Sequence, residues 1–188
     1  MKLSVALLGV ACAALMSGCS VFSSLNTVKE CNYTFAGLEG FSYAGVKLDK
    51  LKDPTSLTLT DSINILTALR DKNAKLTFNT LVDIENPHSG TASVEKMDWI
   101  LFLDDTEMLS GINNDTIKVE PNATSRATIQ ANVDPTKVLN GNSIENLWTL
   151  YRKLSGKDTS KSSKVTLKLK PTVGGYTLKD YLTLDKTL

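Results

Sequence analysis

Residues 76–109, LTFNTLVDIENPHSGTASVEKMDWILFLDDTEML, carry the clearest strand pattern in the chain. The first ten of these residues alternate between apolar and polar side chains, and the apolar positions include Leu76, Phe78, Val82 and Ile84. This period predicts a strand with one buried face. Asn86-Pro87 ends the strand, because proline cannot donate to a ladder and biases the preceding residue away from continuing it.

A second run, residues 97–103, is apolar at nearly every position and predicts a strand that is covered on both faces. Asp104, Asp105 and Thr106 then turn the chain back. Together the two runs predict a β-meander at the centre of the fold. The acidic turn lacks the regular spacing and the glycine of an EF-hand loop, so we interpret it as a polar hairpin and not as a calcium site.

The rest of the chain continues the β pattern with two helical interruptions. Strands are predicted at residues 41–51, 116–120, 125–133, 165–170 and 176–184, and helices at residues 63–72 and 142–154. With about seven strands and no regular alternation of strand and helix, the prediction is a mainly β fold. We expect an antiparallel β-sandwich with one or two packed helices.

The N-terminal sequence has the pattern of an export signal. Met1-Lys2 gives a positive start, residues 3–16 are almost entirely apolar, and this segment is too short and wrongly flanked for a transmembrane span. Residues 15–20, LMSGCS, resemble the bacterial lipobox, in which the cysteine is acylated and becomes the new N-terminus. Two alternatives stay open: cleavage before Cys12, or an ordinary signal peptide with a structural Cys19.

The sequence predicts three segments: a signal peptide at residues 1–18, a lipidated N-terminus and tether at residues 19–40, and a folded domain at residues 41–188. The signal peptide and the lipid are what the lipobox resemblance implies, whereas the tether is predicted because residues 20–40 have no sustained period. Acyl chains on Cys19 would hold the protein on a membrane. The protein would be secreted across the inner membrane and, with serine following the cysteine, sorted to the outer membrane. Which face of that membrane the domain occupies stays open.

Composition narrows the classes of function. Of 188 residues, 41% are hydrophobic and 22% are charged, which is typical of a globular protein. The net charge of +1 and the pI of about 7.6 provide no field that would attract nucleic acid. After loss of Cys12 and lipidation of Cys19, Cys31 is the only cysteine that remains. We expect it to be a small semi-buried hydrophobic residue or, alternatively, half of an intermolecular disulfide.

Three segments together resemble the late-embryogenesis-abundant (LEA) type 2 family, also called the water-stress and hypersensitive-response (WHy) domain. They are VDIENP at residues 82–87, MDWILFLDDTEMLSG at residues 97–111 and IKVEPNATSRATIQANV at residues 117–133. His88 and the long helix at residues 142–154 depart from that pattern. The resemblance implies an immunoglobulin-like or fibronectin III-like sandwich, a non-enzymatic role linked to stress tolerance and, in some relatives, lipid handling.

Groups capable of catalysis are sparse in this chain. His88 is the only histidine, which excludes a metal site built from several histidines. Its place after Pro87 predicts a solvated turn residue. Because no glycine-rich phosphate loop and no nucleophile with a partnering base can be named, we predict no catalytic residue, no cofactor and no metal.

Three hypotheses of function follow from these patterns. The first is a membrane-anchored binding or protective module of the cell envelope. The second is a lipid or lipophile carrier, whose apolar ligand would lie between the sheets in a cavity lined by Phe78, Val82, Trp99 and Leu101. The third is a structural subunit of an envelope complex, with an unidentified envelope protein as partner.

Overall fold

The computed structural model describes residues 25–135, 139, 143–158 and 162–188. In chain order its strands are β1 (Asn32–Tyr43), β2 (Val46–Lys47), β3 (Leu76–Asn86), β4 (Ala92–Val94), β5 (Lys96–Leu103), β6 (Thr106–Asn113), β7 (Ile117–Val119), β8 (Ala123–Val133), β9 (Lys164–Val173), β10 (Tyr176–Thr177) and β11 (Leu182–Thr187). The helices are α1 (Leu59–Asp71) and α2 (Ile144–Leu154). Short 3-10 turns occupy Leu48–Lys50 and Pro54–Ser56, and residues 25–29 are helical.

All strand pairs described are antiparallel, and they form two main sheets. The first has the order β2-β1-β3-β8. The second has the order β10-β9-β5-β6, with β11 also paired to β9. A small third sheet joins β4 to β7. The mainly β, antiparallel architecture predicted from the sequence is therefore confirmed, whereas an immunoglobulin or fibronectin III strand arrangement stays a prediction.

One hydrophobic core is shared by the inner faces of both main sheets and by the helices. β3 and β8 pair without interruption from Leu76 opposite Val133 to Asn86 opposite Ala123, so their inward residues form continuous rows. Burial of this apolar surface is the main favourable term in folding. The principal core residues are Phe78, Val82, Ile84, Ala127, Ile129, Ala131, Met97, Trp99, Leu101, Val165, Leu167, Leu169, Ile65, Leu69, Leu147, Tyr151 and Leu154.

The two predicted helices are confirmed, with shifted starts. α1 begins at Leu59, earlier than expected, because Thr58 and Asp61 form a reciprocal capping box. α2 begins at Ile144, where the Ser143 hydroxyl accepts a hydrogen bond from the Asn146 amide. Residue 142, where this helix was predicted to begin, lies outside the described residues.

The prediction that residues 97–103 are covered on both faces is wrong. Inward residues of β5 are buried, but Asp98, Ile100 and Phe102 on its outer face are only half-buried. The Lys168 ammonium lies 4.8 Å from the centroid of the Phe102 ring. Phe102 on the outer face is thus partly covered by the Lys168 side chain and not by a second layer of secondary structure.

The first strand begins earlier than the boundary at residue 41 that the sequence predicted. β1 starts at Asn32, Phe35 on it is buried, and Val28 in the preceding helical segment is also buried. Two register shifts in the pairing with β3, one between Phe35 and Gly37 and one between Glu39 and Ser42, break the alternation that would have marked a strand. Residues 1–24, including the predicted lipidation site Cys19, lie outside the described residues.

Candidate functional site

A cleft of about 470 Å³ opens where α2 faces the β5–β6 hairpin. This volume lies within the range of small-molecule sites in proteins. The hairpin contributes one wall and α2 the other. The lining residues are Leu103, Asp104, Thr106, Glu107, Met108, Leu139, Asn146, Thr149, Leu150 and Lys153.

The hairpin wall is fixed by its turn and by the neighbouring strand. Asp104 and Asp105 both have positive φ, 49° and 62°, as a two-residue turn of this hand requires. The Asp104 carboxylate accepts a hydrogen bond from the Lys164 amide at 3.0 Å, and the Asp104 amide donates to the Lys164 carbonyl at 2.8 Å. The acidic turn is thereby held in place by β9, in agreement with the predicted polar hairpin.

The helix wall follows from the amphipathic pattern of α2. Leu147, Tyr151 and Leu154 point into the core, which turns the intervening positions toward the cleft. Leu150 is 6% exposed and Leu103 is 8% exposed, so the floor of the cleft is apolar and closed.

Charges stand at the rim of the cleft and not at its floor. Asp104 and Glu107 are carboxylates on the hairpin, and the Lys153 ammonium on α2 lies 3.7 Å from Asp104. Both side chains of this pair are more than a third exposed, so the pair adds little to stability. The arrangement suits a molecule whose apolar part reaches the floor while a polar part stays at the rim.

A second, smaller cleft of about 190 Å³ lies on the other side of α2, against the chain that leads into α1. Trp148 and Tyr151 form its aromatic wall, with ring centroids 4.9 Å apart. The Lys157 ammonium is 5.0 Å from the centroid of the Tyr151 ring and hydrogen-bonds its hydroxyl. Its size suits a small group and not a lipid chain.

The four residues predicted to line a cavity between the sheets all lie in the buried core. Phe78 and Val82 are on β3, Trp99 and Leu101 are on β5, and each is at most 4% exposed. Phe78 stacks on Phe41 with ring centroids 5.0 Å apart. Neither of the two clefts described above is lined by these four residues. The inter-sheet cavity therefore stays a prediction.

The cleft under α2 was not predicted from the sequence. Its walls come from a hairpin and a helix about forty residues apart, and no local pattern joins them. One signal was available: Leu150 is a further apolar residue of α2, beside Leu147, Tyr151 and Leu154, which point into the core.

The side chains that could take part in catalysis or metal binding have structural roles instead. His88 is half-buried in its turn, with Nε2 3.3 Å from the Glu30 carboxylate. Cys31 is buried, and desolvation raises the pKa of its thiol. Within the described ranges, no group of three or more histidine, cysteine, aspartate or glutamate side chains is placed to hold a metal ion. The same ranges contain no helix long and apolar enough to cross a membrane.

No protein-family model matches this chain, and no curated protein matches its sequence. Three solved structures resemble this chain at low identity and low TM-score. A protein from Archaeoglobus fulgidus is 12% identical, with a TM-score of 0.39 over 62% of this chain and 86% of that chain. An Arabidopsis thaliana protein is 14% identical, with a TM-score of 0.38 over 61% of this chain and 67% of that chain.

A third solved structure is described as a candidate late embryogenesis abundant protein. It is 13% identical, with a TM-score of 0.42 over 98% of this chain and 85% of that chain. Three segments of this sequence resemble the same class, the late-embryogenesis-abundant proteins.

Proposed function

We propose that this protein is a non-enzymatic, membrane-anchored lipoprotein of the cell envelope. It would be a binding module of the LEA type 2 or WHy kind on an immunoglobulin-like or fibronectin III-like sandwich. Export and acylation at Cys19 would place it on the outer membrane. The N-terminal sequence ending in LMSGCS supports the anchor, and the three segments that resemble the WHy domain support the class.

The cleft between α2 and the β5–β6 hairpin is the proposed binding site. The observation that carries this assignment is its closed apolar floor beneath a charged rim. Apolar walls with a few polar groups that set orientation are the usual composition of a ligand site. The ligand class is therefore a molecule with an apolar body and a polar end, bound without bond chemistry.

A lipid carrier with its ligand between the sheets is the second candidate. Phe78, Val82, Trp99 and Leu101 would have to separate before an acyl chain could enter, because all four are packed in the core. A protein interior that is packed at native density cannot open without losing the contacts between its side chains. A structural subunit bound to an envelope protein is the third candidate.

Titration with the neutral apolar probe N-phenyl-1-naphthylamine tests the cleft. Every core residue named above lies between Val28 and Val173, so residues 20–188 contain the whole described core and are suitable for the assay. Met108→Glu places a carboxylate on the cleft wall, whereas Ile112→Glu places one on the same strand at an exposed position outside the cleft. We expect Met108→Glu to weaken binding of the probe at least tenfold and Ile112→Glu to leave it unchanged.

Equal binding of the probe by both variants and the unsubstituted chain would contradict the cleft assignment. Loss of binding in a Trp99→Ala variant together with full binding by Met108→Glu would favour the carrier. Absence of any binding would favour the structural subunit.

A further inference from the structure

The rim of the proposed cleft carries more negative than positive charge. Its ionisable residues among those described are Asp104 and Glu107 on the hairpin and Lys153 on α2. Asp104 accepts a hydrogen bond from the Lys164 amide, but this bond leaves the carboxylate its charge. Two carboxylates and one ammonium group therefore stand at the mouth of the cleft.

The rest of the two walls adds to this excess. Between residues 103 and 108 the hairpin has a third carboxylate, Asp105, and no basic side chain. On α2 the other charged residues are Glu145 and Arg152. The two walls together thus carry four acidic and two basic side chains.

Two basic side chains beside the walls have carboxylate partners of their own. Arg152 lines the second, smaller cleft, and its Nη2 lies 3.5 Å from the Asp158 carboxylate. The Lys164 ammonium lies 3.2 Å from the Asp185 carboxylate. Each of these pairs is neutral as a whole, so neither pair offsets the negative charge at the rim.

Glu107 is the acidic group of the rim that is available to a ligand. Its side chain is exposed and forms no ion pair or hydrogen bond within the part of the chain that the structure describes. The Lys153 ammonium lies against the other carboxylate, 3.7 Å from Asp104. A ligand can therefore approach Glu107 without first displacing a partner from it.

A β-bulge places Glu107 beside an apolar side chain of the cleft. Leu101 and Phe102 are consecutive on β5 and pair with Leu109 and Glu107, which leaves Met108 as the extra residue of β6. Neighbouring side chains of a regular strand point to opposite faces, and a bulge re-aims one of them. Glu107 and Met108 consequently line the same cleft.

The lining also distinguishes between two kinds of cationic headgroup. A quaternary ammonium group has no N–H donor and is recognised by the faces of aromatic side chains. No phenylalanine, tyrosine or tryptophan is among the described residues that line this cleft. A primary ammonium group has three N–H donors, and an ionised carboxylate only accepts. Glu107 therefore suits a primary ammonium group.

From these features we propose that the ligand of the cleft is an amphiphile whose polar end is a primary ammonium group. Its alkyl part contacts the floor formed by Leu103 and Leu150, and its ammonium group donates to the Glu107 carboxylate at the rim. This inference rests on the proposed function and deepens it, because it assigns the charge and the donor chemistry of the ligand's polar end in the same cleft.

Displacement of N-phenyl-1-naphthylamine from residues 20–188 tests the proposal. Dodecylammonium, dodecyltrimethylammonium and dodecanoate share one alkyl chain and differ in the headgroup, and each is used below its micelle concentration at neutral pH. We expect dodecylammonium to displace the probe at a concentration at least fivefold lower than either of the other two. High salt should reduce this preference, since the rim is exposed to solvent.

Two substitutions at the rim should change the binding of dodecylammonium in opposite directions. Glu107→Gln keeps the size of the side chain and removes its charge, so the preference for dodecylammonium should fall at least fivefold. Lys153→Gln removes the ammonium group beside Asp104, so dodecylammonium should bind at least twofold more tightly. Glu39→Gln, at an exposed position on β1 outside the cleft, is the matched control and should bind as the unsubstituted chain does.

The outcomes separate this inference from the proposed function. Displacement by dodecyltrimethylammonium or dodecanoate at the same or a lower concentration would overturn the inference. The cleft assignment would still stand if Met108→Glu lost the probe. An unchanged preference in Glu107→Gln would also overturn the inference, because the ammonium group would then bind elsewhere. Absence of any probe binding would overturn both the cleft assignment and this inference.

Discussion

Trp99 on β5 packs against Gly111, its cross-strand partner on β6, so closely that a side chain at residue 111 has no room. A Cβ built on Gly111 would lie 2.8 Å from Trp99 Cζ2 and 3.0 Å from Cε2. Trp99 is only 4% exposed, so its indole cannot move aside into solvent. The pair fixes how the edge strand β6 sits on the core, and β6 carries one wall of the cleft.

Gly111→Ala should therefore destabilise the protein. We expect a loss of about 1–3 kcal/mol in the free energy of unfolding, because the added methyl group forces the packed indole to shift. Urea unfolding measures this loss, and near-ultraviolet circular dichroism reports the environment of the indole. Gly90→Ala is the control, since a Cβ there meets no atom within 4 Å. Equal stability of both variants would contradict the close contact.

Asn86 joins three segments through one buried amide. Its Nδ2 donates to the carbonyls of Gly90 at 2.8 Å, Val119 at 3.1 Å and Glu120 at 3.2 Å. Its Oδ1 accepts from the His88 amide at 3.1 Å. The amide thus fixes the turn after β3 to the chain around β7.

Asn86→Ala should lower the free energy of unfolding by about 1–3 kcal/mol, because buried carbonyls lose their donor.

Asn86→Asp should lower the free energy of unfolding further at neutral pH, since a buried carboxylate cannot donate to carbonyls. Burial raises the pKa of such a carboxyl group. The penalty is then present above that pKa and is relieved as pH falls. Urea unfolding at pH 7 and pH 5 tests this, with the exposed Asn132→Ala as control. An equal loss in the free energy of unfolding of Asn86→Asp at both pH values would contradict this explanation.

The parts of the fold that follow a strict period were predictable, and those that break it were not. β8 and α2 keep their apolar positions in register, so their buried residues could be assigned in advance. β1 was placed too late because bulges interrupt its alternation. Asn86 was predicted only as the end of a strand, because a sequence does not reveal which carbonyls an amide will meet.

Arg126 and Asp83 form a cross-strand ion pair between β8 and β3. Nε donates to Oδ1 at 2.7 Å and Nη2 donates to Oδ2 at 2.8 Å. Hydrogen bonding to Arg126 lowers the pKa of Asp83. A carboxyl group whose pKa is lowered on folding stabilises the folded state above its unfolded pKa, and this contribution is lost as pH falls through the folded value.

Arg126→Gln should therefore be less stable than the unsubstituted chain at pH 7, and the difference should shrink below about pH 4. The difference is small because the pair is largely exposed. Urea midpoints at pH 7, 5 and 3 measure it, with Lys118→Gln as the control. A difference that does not change over this range would show that the pair contributes nothing through Asp83 ionisation.

Cys31 should be unreactive in the folded protein. The thiol is 7% exposed, its Sγ lies 3.2 Å from the Thr27 carbonyl, and burial raises its pKa, so little thiolate is present. We expect modification by Ellman's reagent to be slower than in urea by on the order of a hundredfold. An exposed Thr183→Cys site should react at once. Rapid modification of Cys31 in the folded protein, or a disulfide-linked dimer on non-reducing gels, would favour the intermolecular disulfide.

Native mass spectrometry with lipid extraction tests the central claim, that this protein binds an apolar molecule in the cleft under α2. The chain of residues 20–188 is produced in the envelope compartment and purified without detergent, in parallel with Met108→Glu and Ile112→Glu. We predict a stoichiometric bound molecule with an apolar body on the unsubstituted chain and on Ile112→Glu, and its loss from Met108→Glu. A molecule retained by Met108→Glu, or a bare chain in all three preparations, would contradict the account.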